Sequence, residues 1–211
     1  PGPSLDELGD LEAWRRIVWM DVLGRALAER GQKARMAVGL ADMDDRTLAA
    51  AREAGLGLAE FGAQALAAVT VHARRLGVSE TTLFALANAS QDRALGLARK
   101  LLARGQAYEK LRSVYFDVTR DKTYGLTSGL DLAGMNVGHT VDLADYVKEH
   151  PADFTLLKRV TLQDLKLGDV VETEWGKVRP SWFLQLAAAA LDALGSVSVM
   201  LGSESHRFPH L

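Results

Sequence analysis

Apolar residues recur at helical spacing near the start of the chain. Leu11, Trp14, Val18 and Val22, continued by Leu23 and Leu27, predict an amphipathic helix over residues 10 to 30, with Gly31 as its stop. A short apolar run, Arg35 to Leu40, predicts a buried strand. The acidic stretch Asp42-Met43-Asp44-Asp45 is suited to cap the helix that follows. From Arg46 to Arg75 the alanine-rich pattern predicts two helices broken near Gly55 and Gly57. Thr82 to Leu86 reads as a strand and is followed by a helix to about Arg104. Strand and helix alternating in this way imply an α/β fold with a mostly parallel sheet.

The pattern changes in the middle. Ser113 to Val118 is strand-like, a glycine-bearing turn region follows, and a helix is expected near Leu143 to Glu149. Residues 109 to 175 therefore read as an insertion in the sheet. From Ser181 the first pattern returns, with an alanine-rich helix to Leu194 and a strand at Val197 to Leu201. The organisation expected is a first half-domain over 1-108, a connective insertion over 109-175, and the start of the second half over 176-211.

Composition narrows the classes. The chain has 211 residues, 48% hydrophobic and 25% charged, enough to bury a real core. A net charge of −2 argues against a strongly basic nucleic-acid-binding module. There is no cysteine, hence no disulfide and no thiolate metal ligand. No apolar run is long enough to span a bilayer and nothing at the start reads as a signal peptide, so a cytoplasmic location without membrane partners is expected. The chain opens at Pro1 without a methionine, which leads us to expect a native N-terminus upstream.

Trp175-Gly176-Lys177-Val178-Arg179-Pro180-Ser181-Trp182 is similar to the Trp-Gly-Lys-Gly-Arg-Pro-Gly-Trp stretch of the class I cysteinyl-tRNA synthetases, which further segments also resemble. Tyr115-Phe116-Asp117-Val118, with Tyr124-Gly125 and Ser128-Gly129 behind it, resembles the family's insert. Asp42-Met43-Asp44-Asp45-Arg46 resembles Thr-Asp-Ile-Asp-Asp-Lys, with Ala41 at the first position. Asp153-Phe154 with Lys158, and Phe208-Pro209-His210, match two further landmarks. Each match is weak alone, but the ordered set is specific. The resemblance implies a Rossmann-like class I catalytic domain: a parallel sheet with an inserted connective subdomain. The strand the family has before Gly2, the Lys-Met-Ser-Lys-Ser loop and the anticodon-binding helices are not in this chain.

The resemblance also implies where the chemistry would sit. The family's His-Ile-Gly-His signature, which steadies the ATP phosphates, falls on Asp10-Leu11-Glu12-Ala13, so Asp10 and Ala13 replace both histidines. Carboxylates near a triphosphate repel it, whereas Asp10 as a helix cap and Glu12 in a first turn are favourable. The family's zinc, which selects the cysteine thiolate, takes two Cys, one His and one Glu. The Cys positions fall on Pro1 and Leu186, and His210 is the one match. The nucleotide turn Gly-Gly-Gly-x-Asp falls on Leu201-Gly202-Ser203-Glu204-Ser205, which keeps Gly202 and puts Ser205 in place of the Asp. Gly2, Pro3 and Ser4 keep the Gly-Pro-Thr character, and Trp182 keeps an aromatic wall.

Gly2, Ser4, Asp10, Ala13, Trp182, Gly202 and Ser205 thus outline a vestigial amino-acid and nucleotide pocket, with no catalytic residue and no zinc expected. Plainer roles are expected beside these: a turn for Ser4 and core packing for Trp182. His72, His139, His150 and His206 have no spacing that suggests a metal or a triad, and Arg74-Arg75 reads as a solvated helix end. Three functions follow. The first is a synthetase-like protein without ligase activity that binds a small ligand or a partner protein. The second is an ATP-dependent ligase with a remodelled site, with ATP and tRNA as its ligands. The third is a structural interaction module.

Overall fold

The structure is a computed structural model and describes residues 1–126, 129, 148–150, 152–167, 170–203 and 206. Most of the helix expected near Leu143 to Glu149, Ser128, His139, Ser205 and the Phe208-Pro209-His210 stretch lie outside the described residues.

The first half alternates as its sequence predicts. Helix α1 (Leu11–Glu29) leads to strand β1 (Ala37–Leu40), helices α2 (Asp45–Glu53) and α3 (Leu58–Arg75), strand β2 (Leu83–Leu86), and helix α4 (Gln91–Ala103) after a 3-10 turn over Ala87–Ser90. β1 and β2 pair in parallel, Val38 opposite Phe84 and Leu40 opposite Leu86, a pairing that needs the long helical crossover between them. The alternation along β1 sets the layers. Val38 and Leu40 pack with Trp14 and Ile17 of α1 and with Ala65, Val69 and Ala73 of α3. Gly39 faces the other way, and a Cβ added there would come within 3.0 Å of Leu186 Cδ2 on helix α6 (Trp182–Leu194). Helices thus cover both faces of the parallel pair.

The buried face of α1 differs from the one its apolar residues predict. Ala13, Trp14, Ile17 and Asp21 are buried, while Leu11 is 83% exposed and Val22 and Leu23 are also exposed. The cause is a polar anchor. Asp21 accepts the Ser79 N–H at 2.8 Å and pairs with Arg25 at 2.6 Å, which turns the stripe 13-17-21 inward. A buried carboxylate with two donors is tolerated, whereas an apolar pattern passes over it.

The insert, joined by residues 107–108 before it and 176–180 after it, forms a five-stranded antiparallel sheet. Its strands are β3 (Ala107–Lys110), β4 (Ser113–Phe116), β5 (Phe154–Arg159), β6 (Val171–Thr173) and β7 (Gly176–Pro180), in the order β3-β4-β5-β7-β6, with the short helix α5 (Leu162–Leu167) between β5 and β6. The strand expected over Ser113 to Val118 ends at Phe116, and Val118–Arg120 is a 3-10 turn that Asp117 caps by accepting the Thr119 N–H. A single core joins this sheet to α4 and α6. Phe154 stacks on Phe116 at 4.9 Å and meets Phe183 of α6 edge-on at 5.2 Å.

Val197 to Leu201, expected as a strand, is not one. A strand needs a neighbour to take its backbone donors and acceptors. β1 gives one edge to β2, and on the other edge the Gly39 carbonyl is taken by the Gly2 N–H. Val197, Val199 and Met200 are accordingly exposed.

Candidate functional site

The N-terminal segment, the first turns of α1, the start of α6 and the loop at Gly202 define the site. Gly2 lies against β1. Its N–H bonds the Gly39 carbonyl at 2.9 Å, and a Cβ there would sit 2.5 Å from Leu40 Cδ2, so only glycine approaches this closely. Pro3 is fully buried. The Ser4 carbonyl closes a turn with the Glu7 N–H, and the Ser4 hydroxyl bonds the Asp6 carboxylate. Arg46 of α2 clamps this loop by ion pairs to Asp6 at 2.8 Å and Glu7 at 3.2 Å.

Asp10 is the N-cap of α1 and accepts the Glu12 N–H at 2.9 Å. Ala13 is fully buried, and Trp14 beside it donates from Nε1 to the Leu8 carbonyl at 2.7 Å. Both positions that the resemblance assigns to phosphate-facing histidines are therefore occupied by helix architecture. Leu186 is 8% exposed and packed over Gly39, and its side chain carries no metal donor. Among the described residues no group of three or more His, Asp and Glu side chains is placed to hold a metal ion.

Trp182 stands half-buried at the mouth of α6. It meets Phe183 edge-on at 5.5 Å and the His206 ring edge-on at 5.7 Å. His206 is held by the Ser203 N–H and hydroxyl, both on Nδ1, at 3.0 and 2.6 Å. Gly202 closes over it, and a Cβ there would lie 3.1 Å from His206 Cβ. Burial and the nearby Arg16 guanidinium push the His206 imidazole down to about 4, so it is neutral at pH 7. Trp182, Gly202 and His206 thus meet, while Gly2 and Ser4 lie in the N-terminal segment and Asp10 and Ala13 at the start of α1. Ser205 and His210 lie outside the described residues.

Sequence reasoning missed three charged or titratable groups here. His206 was set aside for lack of spacing, and its role rests on a fold-back onto Trp182 that spacing does not encode. Arg16 falls four residues after Glu12, a pair that reads as an ordinary solvated ion pair until its burial is seen. Asp42, at the exit of β1, is 6% exposed and accepts the Asn88 N–H at 2.8 Å; burial raises its carboxyl to about 6.

The family model described as tRNA synthetases class I (C) catalytic domain matches residues 2–211. The chain belongs to this family. Among curated relatives it is 30% identical over 210 residues to a cysteine–tRNA ligase of Methanosarcina mazei, covering 99% of the chain and 44% of the relative. It is 30% identical, with the same coverage, to the cysteine–tRNA ligase of Methanosarcina acetivorans. It is 33% identical to that of Anaplasma phagocytophilum, over 99% of the chain and 45% of the relative. The chain thus spans less than half the length of these relatives.

As a class I synthetase catalytic domain it keeps its landmarks as structural joints. Asp44 caps α2 by accepting the Arg46 and Thr47 N–H groups, while Asp45 pairs with Lys158 at 2.9 Å and with Arg179. Arg179, 5% exposed, also reaches Asp164 at 3.5 Å, which ties β7 to α2 and α5. Asp153 is fully buried and accepts the Tyr108 hydroxyl at 2.8 Å, the His150 N–H at 3.0 Å and the Val118 N–H at 3.1 Å.

Proposed function

We propose that this chain is a synthetase-like domain without cysteine–tRNA ligase activity, whose former catalytic cleft holds a small ligand or a partner protein. The start of α1 carries this reading. Adenylate formation requires donors or cations aimed at developing phosphate charge, and such stabilisation is commonly the largest catalytic contribution. At that position stand Asp10, spent on its own helix, and Ala13, sealed in the core. The donor set supports the same reading for zinc. Pro1 and Leu186 offer no ligand atom where the resemblance assigns thiolates, so a four-coordinate site lacks two of its four ligands. Zinc has no part in this reading, and no cofactor is required. We place the chain in the cytoplasm without membrane association; among the described residues no single helix is long and apolar enough to cross a membrane.

One observation favours a second reading, an ATP-dependent ligase with a remodelled site that acts on tRNA. Arg16 brings a cation to the second turn of α1, close to the lost histidine positions. Calorimetry with ATP, followed by pyrophosphate exchange measured with each amino acid in turn, separates the two. Exchange with an amino acid other than cysteine supports the remodelled ligase. Absence of exchange with all of them supports the first reading.

A further inference from the structure

The hairpin that joins β3 to β4 turns on residues poorly suited to the turn. β3 ends at Lys110 and β4 begins at Ser113, so Leu111 and Arg112 form its two-residue loop. Their φ angles are +51° and +65°, and among the described residues no other non-glycine residue has positive φ. A loop with positive φ at both positions favours Asn-Gly or Asp-Gly, whereas leucine and arginine are strained there. Neither side chain is taken up by the core. Leu111 is 59% exposed, and Arg112 is exposed as well.

Both side chains border a groove of about 660 Å³ at one end of the antiparallel sheet. The end of β5 supplies Lys158 and Arg159, α5 supplies Leu165, and β7 supplies Lys177. The lining holds four cations and no carboxylate, in a chain whose net charge is −2. Lys158 pairs with Asp45 at 2.9 Å, and Lys177 with the exposed Glu172 at 3.2 Å. Such a surface pair neutralises little of the field. Among the described residues Arg112 and Arg159 have no ion-pair partner. Like charges gathered in this way attract acidic groups from outside the chain.

The shape and the leucines decide what carries those groups. Lys158 and Arg159 are successive residues of β5 and face opposite sides of the sheet, so the groove runs round the sheet's end. An extended segment meets both, whereas a compact anion does not. Leu111 and Leu165 are exposed, and Leu162, one turn earlier on α5, is also exposed. They suit the apolar side chains of a peptide. Single-stranded nucleic acid is recognised by stacking its bases on aromatic side chains, and the lining has none.

We infer that this groove docks an acidic peptide segment of a partner protein, with carboxylates on Arg112 and Arg159 and an apolar side chain against Leu111 and Leu165. Arg clusters read acidic motifs in this way. The site lies on the insert and stands apart from the reading of the former cleft.

The test is fluorescence anisotropy of the purified protein with short labelled peptides that permute glutamate and leucine. Controls put lysine for glutamate or alanine for leucine, and an RNA hairpin is the competitor. Saturable binding of the glutamate–leucine peptides is expected, weakening as salt rises, with weaker binding of the alanine peptides and none of the lysine peptides. The methyl resonances of Leu111 and Leu165 are expected to shift in the same titration. Arg112→Glu and Arg159→Glu, both at exposed positions, are each expected to weaken binding about tenfold or more. Leu111→Asn combined with Arg112→Gly installs the residues the turn favours, and is expected to raise the unfolding midpoint while binding is lost. A lowered midpoint or retained binding in that variant would overturn the proposal. So would glutamate–leucine peptides that fail to bind, methyl resonances that stay unmoved, or an RNA hairpin that takes the groove more tightly than the peptides. Cysteine-dependent exchange would contradict the absence of ligase activity and leave the docking site standing, whereas unmoved resonances do the reverse.

Discussion

The antiparallel insert and the start of α1 treat buried charge in opposite ways. In the insert, Asp153 is fully buried and satisfied by three donors, and Arg179 sits between Asp45 and Asp164. At α1, Asp10 serves only its own helix, and Arg16 keeps a buried Nε without a partner. Residues whose partners lie inside the chain are held in place by the cost of orphaning those partners. Residues whose partner would be a ligand have no such tie. They are free to change when the ligand changes, and it is here that the resemblance sets Asp10 and Ala13 against the family's histidines.

The sharpest way to break that contrast is Asp153→Ala. It would leave the Tyr108 O–H and two backbone N–H groups without their acceptor. The expected loss is about 3 kcal/mol or more in urea unfolding. A loss below about 1 kcal/mol would mean that the insert's landmarks are not structural joints.

Asp42→Asn tests a buried acid between the two regions. Burial holds the folded Asp42 carboxyl at about 6, above its ordinary value of 3.8. The neutral carboxyl is therefore the form the fold prefers: its contribution is fully present below about pH 4 and lost as pH rises through 6. Asn keeps an acceptor for the Asn88 N–H and carries no charge. The variant is expected to be more stable than the parent by about 1–3 kcal/mol at pH 8, with the difference vanishing near pH 4. Equal stability of the two proteins at both pH values would remove Asp42 from the buried, charge-penalised groups.

Asp10→Ala should cost about 1 kcal/mol, the usual worth of a helix cap, measured as a lowered unfolding midpoint. Arg16→Met should lie within about 0.5 kcal/mol of the parent or above it, since it removes an unpaired buried charge. A loss comparable to that of Asp153→Ala would place Arg16 among the structural joints and erase the distinction between the two regions.

Much of the first half was legible in the sequence because its elements obey local rules. Gly55 and Gly57 mark the break between α2 and α3, and Asp44 caps where an acid before an alanine-rich run should cap. The α1 face was misread because its inward stripe ends in Asp21, whose partner Ser79 lies 58 residues away. Val197 to Leu201 has strand propensity and no strand to pair with, which is a tertiary condition. Within the candidate site, Gly2, Asp10, Ala13 and Trp182 are assigned by the resemblance alone. The neutral His206 and the buried Arg16 were not legible, because both depend on a loop folding back over a helix start.

The most direct measurement is cysteine-dependent ATP–pyrophosphate exchange by the purified gene product that carries this chain, with an intact cysteinyl-tRNA synthetase as control. The expected result is exchange indistinguishable from the no-enzyme background, and no recovery when histidines are restored at Asp10 and Ala13, since the thiolate ligands remain absent. Robust exchange with cysteine would contradict the proposed loss of ligase chemistry.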